Sequence, residues 1–118
     1  MASLTVFIVE DEPLIGAAME MLVEDIGGAV LGPFMNLRDG LAGVESANQI
    51  DCALLDCNLG KDSSIPIAEA LASKGIPFAF TSGNGVKDIE ERFRDRPIFV
   101  KPVDENKLKQ FLQQFVPA

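Results

Sequence analysis

At 118 residues the chain has the length of one domain, enough to bury a core without disulfide or metal staples. Its 47% hydrophobic and 24% charged content is that of a globular protein, and no apolar run approaches the roughly 20 residues that cross a bilayer, so no membrane association is expected. A net charge of -8 with no Lys/Arg cluster argues against nucleic acid or anionic lipid as a partner.

The chain opens without a basic segment ahead of an apolar stretch, and Val6 to Val9 is too short for a signal peptide, which points to the cytoplasm. Thr5 to Val9 is the first of five short apolar runs that read as strands. A helix follows from Pro13, a residue suited to an opening turn, with the stripe Ile15, Met19, Leu22 and Ile26, and gives way at Gly27-Gly28. Next come a strand over Ala29 to Leu31 and a weaker helical stripe at Leu37, Leu41 and Val44. Cys52 to Leu55 is the third strand, and Ala68, Leu71 and Ala72 mark the third helix. Pro77 to Phe80 is the fourth strand, with a helix expected over Val86, Ile89 and Phe93. Ile98 to Val100 is the fifth, and Asp104 is placed to cap a last helix whose stripe is Leu108, Phe111, Leu112 and Phe115.

Strands that are apolar throughout, rather than alternating, belong in a parallel sheet covered on both faces. Five strand-helix repeats of this length predict an α/β fold, a flavodoxin-like (βα)5 doubly wound parallel sheet of order 2-1-3-4-5, forming one domain over residues 1–118. In such sheets the working groups gather beyond the carboxyl ends of the strands.

Those ends carry Glu10-Asp11-Glu12, Asp56-Cys57-Asn58, Thr81-Ser82-Gly83-Asn84 and Lys101-Pro102. Strands one and three are neighbours in this order, so Glu10, Asp11 and Asp56 should converge. Two unit charges roughly 4 Å apart repel by about 4 kcal/mol at an effective dielectric of about 20, and the cluster therefore calls for a cation or a proton, a divalent metal ion satisfying it best. Oxygen donors suit Mg²⁺. The chain has no histidine, which removes imidazole nucleophile pairs and imidazole metal sites. Cys52 and Cys57 read as buried structural thiols. With a dication on one side and the Lys101 ammonium on the other, Asp56 could attack a phosphoryl group in line, with Ser82 bonding a phosphoryl oxygen and Gly83 leaving the approach open. A cis bond at Lys101-Pro102 would aim the lysine. Glu12 is assigned to the start of the first helix, where its charge favours the dipole.

Glu10-Asp11, Asp56, Ser82-Gly83 and Lys101-Pro102, one feature after each of four strands, together resemble the receiver domain of bacterial response regulators, over essentially the whole chain. The resemblance implies that Asp56 is the phosphorylation site, that Asp11 and Asp56 ligate Mg²⁺, and that Glu10 assists directly or through water. The backbone carbonyl of Asn58 would be the remaining protein ligand, Lys101 the phosphate-binding cation and Ser82 the switch hydroxyl, with Thr81 its rival. It implies a signalling switch that catalyses its own phosphorylation and slow dephosphorylation rather than an enzyme. The donor would be a phosphohistidine on a sensor histidine kinase or histidine phosphotransfer protein, the output a downstream protein target, and the chain a monomer or weak phosphorylation-dependent dimer. Asn58 and Asn84, two residues beyond Asp56 and Ser82, are placed to tune the lifetime of the acyl phosphate.

Three positions depart from the family. Glu10 replaces a frequent Asp; Ile98 stands where many members carry an aromatic three residues before the lysine, leaving the hydroxyl-to-aromatic relay without its ring; and Val103 replaces a common Phe. The alternative reading is a degenerate receiver that binds partners without phosphorylation. A flavin carrier would want a hydroxyl- and glycine-rich loop where this chain has three acids, and an aspartyl phosphatase would need other residues than Glu10 and Glu12 after the first strand.

Overall fold

The computed structural model describes residues 4–116. In chain order the elements are β1 (Thr5–Val9), α1 (Pro13–Asp25), β2 (Ala29–Phe34), α2 (Leu37–Ser46), β3 (Cys52–Asp56), the short strands β4 (Asn58–Leu59) and β5 (Asp62–Ser63), α3 (Ile65–Ser73), β6 (Phe78–Ser82), two 3₁₀ turns at Gly85–Asp88 and Glu91–Phe93, β7 (Ile98–Val100) and α4 (Glu105–Gln113). β1, β2, β3, β6 and β7 form a parallel sheet ordered β2-β1-β3-β6-β7, the predicted 2-1-3-4-5, and β4 with β5 makes a small antiparallel hairpin that the sequence pattern did not announce.

Alternation along the strands splits the core in two. Phe7, Val9, Leu55, Phe78 and Phe80 point toward Val44 of α2 and Ile67, Ala68 and Leu71 of α3. Val6, Ile8, Leu54 and Ala79 point toward Met19, Leu22 and Val23 of α1 and Leu108, Phe111 and Leu112 of α4. Each large side chain so buried contributes about 1.5–3 kcal/mol. The capping expectations hold at both ends of the chain: Pro13 opens α1, and Asp104 accepts from the backbone N–H groups of Asn106 and Lys107.

β2 runs further than its apolar residues suggested, through a cis Gly32-Pro33 bond and a register shift against β1. Gly32 has φ +109, and a Cβ there would lie 2.6 Å from the Ile8 carbonyl oxygen, so only glycine fits. Beyond the shift, the Phe34 carbonyl accepts from the Glu10 N–H at 2.9 Å, which extends the sheet by one bond and fixes the backbone of Glu10.

The helix expected over Val86, Ile89 and Phe93 does not form. Ile89 and Glu90 are extended (ψ 132 and 142), splitting the segment into the two 3₁₀ turns. Of its three apolar positions only Ile89 and Phe93 are buried, while Val86 is 52% exposed, and two anchors do not require a continuous stripe. Polar side chains also satisfy the backbone in other ways: the Asp88 carboxylate is bonded to Ser82 and Asn84, and Arg94 Nε donates to the Ile89 carbonyl at 2.9 Å.

Candidate functional site

The strand registers pair Val9 with Leu55, Asp56 with Thr81 and Ser82 with Val100. The last residues of β3 and β6 and the first residues after β1 and β7 therefore share one edge of the sheet. Glu10, Asp11 and Asp56 each present a carboxylate oxygen there, all within 4.8 Å of one another. Glu10 is 1% exposed and Asp56 6%. From the far side the Lys101 ammonium donates to Asp56 Oδ2 at 3.1 Å and to Glu10 Oε2 at 3.4 Å. The Lys101-Pro102 bond is cis.

Burial, with the neighbouring charges, perturbs the ionisation of this group. Burial, the hydrogen bond to Asp56 and the nearby Asp56 charge push the Glu10 carboxyl up to about 7. Burial also raises Asp56, against the pull of its bonds to Glu10 and Lys101. Burial works to lower Lys101, but its bond to Asp56 and the charges of Asp56 and Glu10 outweigh this and raise it. Both buried acids thus favour the protonated form more than a free carboxyl does, Glu10 most clearly. Glu10 Oε1 has no hydrogen-bond partner among the described residues; it sits 3.3 Å from Lys101 Nζ but out of line. This cluster of hard oxygen donors, with one carboxylate oxygen left without a hydrogen bond, is compatible with a Mg²⁺ site.

Local bonds orient the acids. Glu10 Oε2 accepts from the Glu12 N–H at 3.2 Å, and Asp11 Oδ2 accepts from the Gly60 N–H at 3.0 Å, tying the acid cluster to the β4–β5 hairpin. Asn58 enters through its backbone, its N–H donating to Asp56 Oδ1 at 3.4 Å. The cysteines bear out the reading of buried thiols: both are free, and burial foremost pushes each up to about 12.

Ser82 reaches the same edge but is engaged elsewhere. Its fully buried Oγ lies 2.7 Å from Asp88 Oδ2 and 3.1 Å from the Gly85 carbonyl, and it accepts from the Asn84 N–H at 3.1 Å. Thr81, the rival hydroxyl, is fully buried opposite Asp56 and has no hydrogen-bond partner among the described residues. Asp88 is the residue that sequence reasoning missed. It sits inside a stretch read as helix, where an Asp draws no notice, and only the break in that helix turns it back toward Ser82. Ile98 and Phe99 behave as alternation requires: Ile98 packs on the α2/α3 core, while Phe99 meets the Phe111 ring edge-on at 5.8 Å on the opposite face.

No protein-family model and no curated protein matches the sequence. Solved structures do. The solution structure of SdrG from Sphingomonas melonis Fr1 is 40% identical, covers 98% of each chain and superposes with a TM-score of 0.83. The response regulator REC domain of PhyR from Erythrobacter litoralis is 25% identical over 98% of this chain and 91% of that one, with a TM-score of 0.84. This chain belongs to the response regulator receiver domains. A receiver domain described as CheY-like, from Methylobacillus flagellatus, shares the fold at 22% identity and a TM-score of 0.82. The receiver fold supports a phospho-accepting response regulator role in general. Among its described residues no helix is long and apolar enough to cross a membrane.

Proposed function

We propose that Asp56 is the phosphoacceptor of this receiver, taking a phosphoryl group from a phosphohistidine on a sensor histidine kinase or histidine phosphotransfer protein. The observation that carries the reading is the Lys101 ammonium 3.1 Å from Asp56 Oδ2 inside a cluster of three carboxylates at the carboxyl edge of the sheet. In the transfer, an Asp56 oxygen forms a bond to phosphorus as the phosphorus–nitrogen bond to the donor imidazole breaks, and the departing imidazole keeps the electron pair and takes a proton. Lys101 neutralises charge on the phosphoryl oxygens, and its existing bond to Asp56 means that little rearrangement is needed. Glu10 gives up its proton when a cation enters. Asp11, Asp56 and the Asn58 carbonyl would hold Mg²⁺, which when bound supplies charge neutralisation at the phosphoryl oxygens. Ser82 bonds a phosphoryl oxygen once it leaves Asp88.

The result is a cytoplasmic switch that catalyses its own phosphorylation and slow dephosphorylation and passes the change to a protein target. One relative supports this: SdrG has been solved in a BeF3-activated conformation. Incubation with a small phosphodonor and Mg²⁺, read by intact mass, should add one phosphoryl group to the wild type and none to Asp56→Asn. An unmodified wild type, or equal addition to both, would overturn the reading and leave a degenerate receiver in its place.

A further inference from the structure

The Ser82 hydroxyl has one proton, and in this structure it is directed into its own loop. Asp88 Oδ2 lies 2.7 Å away, the short separation of a charge-assisted O–H···O bond. Asn84 braces the arrangement from both sides, its N–H donating to Ser82 Oγ at 3.1 Å and its amide Nδ2 to Asp88 Oδ1 at 3.4 Å. The bond to Ser82 is the foremost cause holding the Asp88 carboxyl below its ordinary range. The acceptor sits at the end of the first 3₁₀ turn, next to Ile89, which is anchored in the core at 2% exposure, so the carboxylate has a fixed footing.

Asp56, the proposed phosphoacceptor, ends β3 beside β6, paired in register with Thr81, the residue before Ser82. We propose that Asp88 is a positioning residue of the switch: its carboxylate competes with the phosphoryl group on Asp56 for the single proton of Ser82, and so sets how readily the receiver enters its activated state. This rests on the reading of Asp56 as phosphoacceptor and adds its regulation. A rotation of Ser82 between staggered wells of its Cα–Cβ bond exchanges one acceptor for the other. The exchange releases Asp88 and with it the Gly85–Asp88 turn, whose Gly85 lies against Val100 and whose Val86 is 52% exposed. Phosphorylation is thereby read out as a change in the surface that β7 and the turn share. A hydrogen bond can bias this equilibrium only by its differential strength in the two states.

The test uses beryllofluoride, which occupies the place of a phosphoryl group on a carboxylate, with Mg²⁺ and the whole chain. Backbone-amide NMR of Ser82, Gly83 and Gly85 reports binding. Asp88→Asn, which keeps the shape and weakens the acceptor, should bind beryllofluoride about threefold to tenfold more tightly than wild type, and Asp88→Ala more tightly still. In a Ser82→Ala background the same Asp88 substitutions should change the affinity by less than about twofold, since the competition has lost its object. Equal affinity of wild type and both Asp88 variants would overturn the proposal. So would an equal gain with and without the Ser82 hydroxyl, which would make Asp88 a source of plain charge repulsion. Failure of the wild type to bind beryllofluoride at all would instead bring down the phosphoacceptor reading, and this one with it.

Discussion

Glu10 and Asp56 sit at the ends of strands buried on both faces; Ser82 also ends such a strand, but its hydroxyl is bonded into the polar loop that follows. On the acid side, β1 and β3 run side by side through Val6, Ile8, Leu54 and Leu55, all at most 1% exposed, and deliver the two carboxylates with no freedom to separate. On the hydroxyl side, the chain beyond β6 replaces a helix with two 3₁₀ turns, and Ser82 is held by polar contacts to Asp88, Gly85 and Asn84. The receiver keeps its charge pattern where the strands are most deeply buried, and the Ser82 contacts where Ile89 and Phe93 are the buried anchors. Local stability varies across a domain in this way, and elements with few buried anchors open first.

The strongest challenge to this contrast is a pair of truncations. Phe80→Ala, on the central sheet, should cost about 3–5 kcal/mol of global stability in chemical denaturation. Ile89→Ala should cost about 2 kcal/mol, and hydrogen exchange should rise selectively over residues 85–94 while the amides of β1 and β3 stay protected. Uniform loss of protection in the second variant would mean that the two regions unfold as one.

A second measurement sharpens the acid side. The Glu10 carboxyl is raised from its ordinary 4.5 to about 7 in the folded protein, so between those values the folded state binds more protons than the unfolded one. Stability without added Mg²⁺ should therefore fall as pH rises from about 4.5 to 7, by on the order of 2 kcal/mol. Asp56, raised as well, works in the same direction. Asp88 is lowered and loses its contribution only as pH falls through the acid range, outside this window. Glu10→Gln should flatten the slope and stabilise the protein at pH 7; an unchanged slope would remove Glu10 as the source of the pH dependence.

The smallest effect concerns neither region. Asp104→Ala removes the cap that accepts from Asn106 and Lys107, and should lower the thermal midpoint by an amount corresponding to about 1 kcal/mol, leaving beryllofluoride affinity alone. A change in that affinity would show that α4 takes part in the switch.

The acid side was the legible one. β1 and β7 fall on the residues whose apolar runs predicted them, and the charges that terminate β1, β3 and the run before Lys101 stood out because folding an apolar strand does not need them. The hydroxyl side was harder to read for a physical reason. Val86, Ile89 and Phe93 have helical spacing, yet that spacing equally places two anchors with a break between them, and what decides is a side-chain bond from Asp88 back to Ser82. The extension of β2 through Gly32-Pro33 and the Asn58–Ser63 hairpin were invisible for a similar reason: both are tied to partners far along the chain, the Glu10 N–H in one case and the Asp11 carboxylate in the other.

The order β2-β1-β3 has a further consequence during synthesis. β1, a run of Thr, Val, Phe, Ile and Val, leaves the ribosome well before β3, its partner on the inner side, begins at Cys52. For that interval it is an uncovered, uncharged segment of high strand propensity, the kind that pairs with other chains. Glu10, Asp11 and Glu12 follow it directly and act as gatekeepers, repelling like copies until β3 arrives.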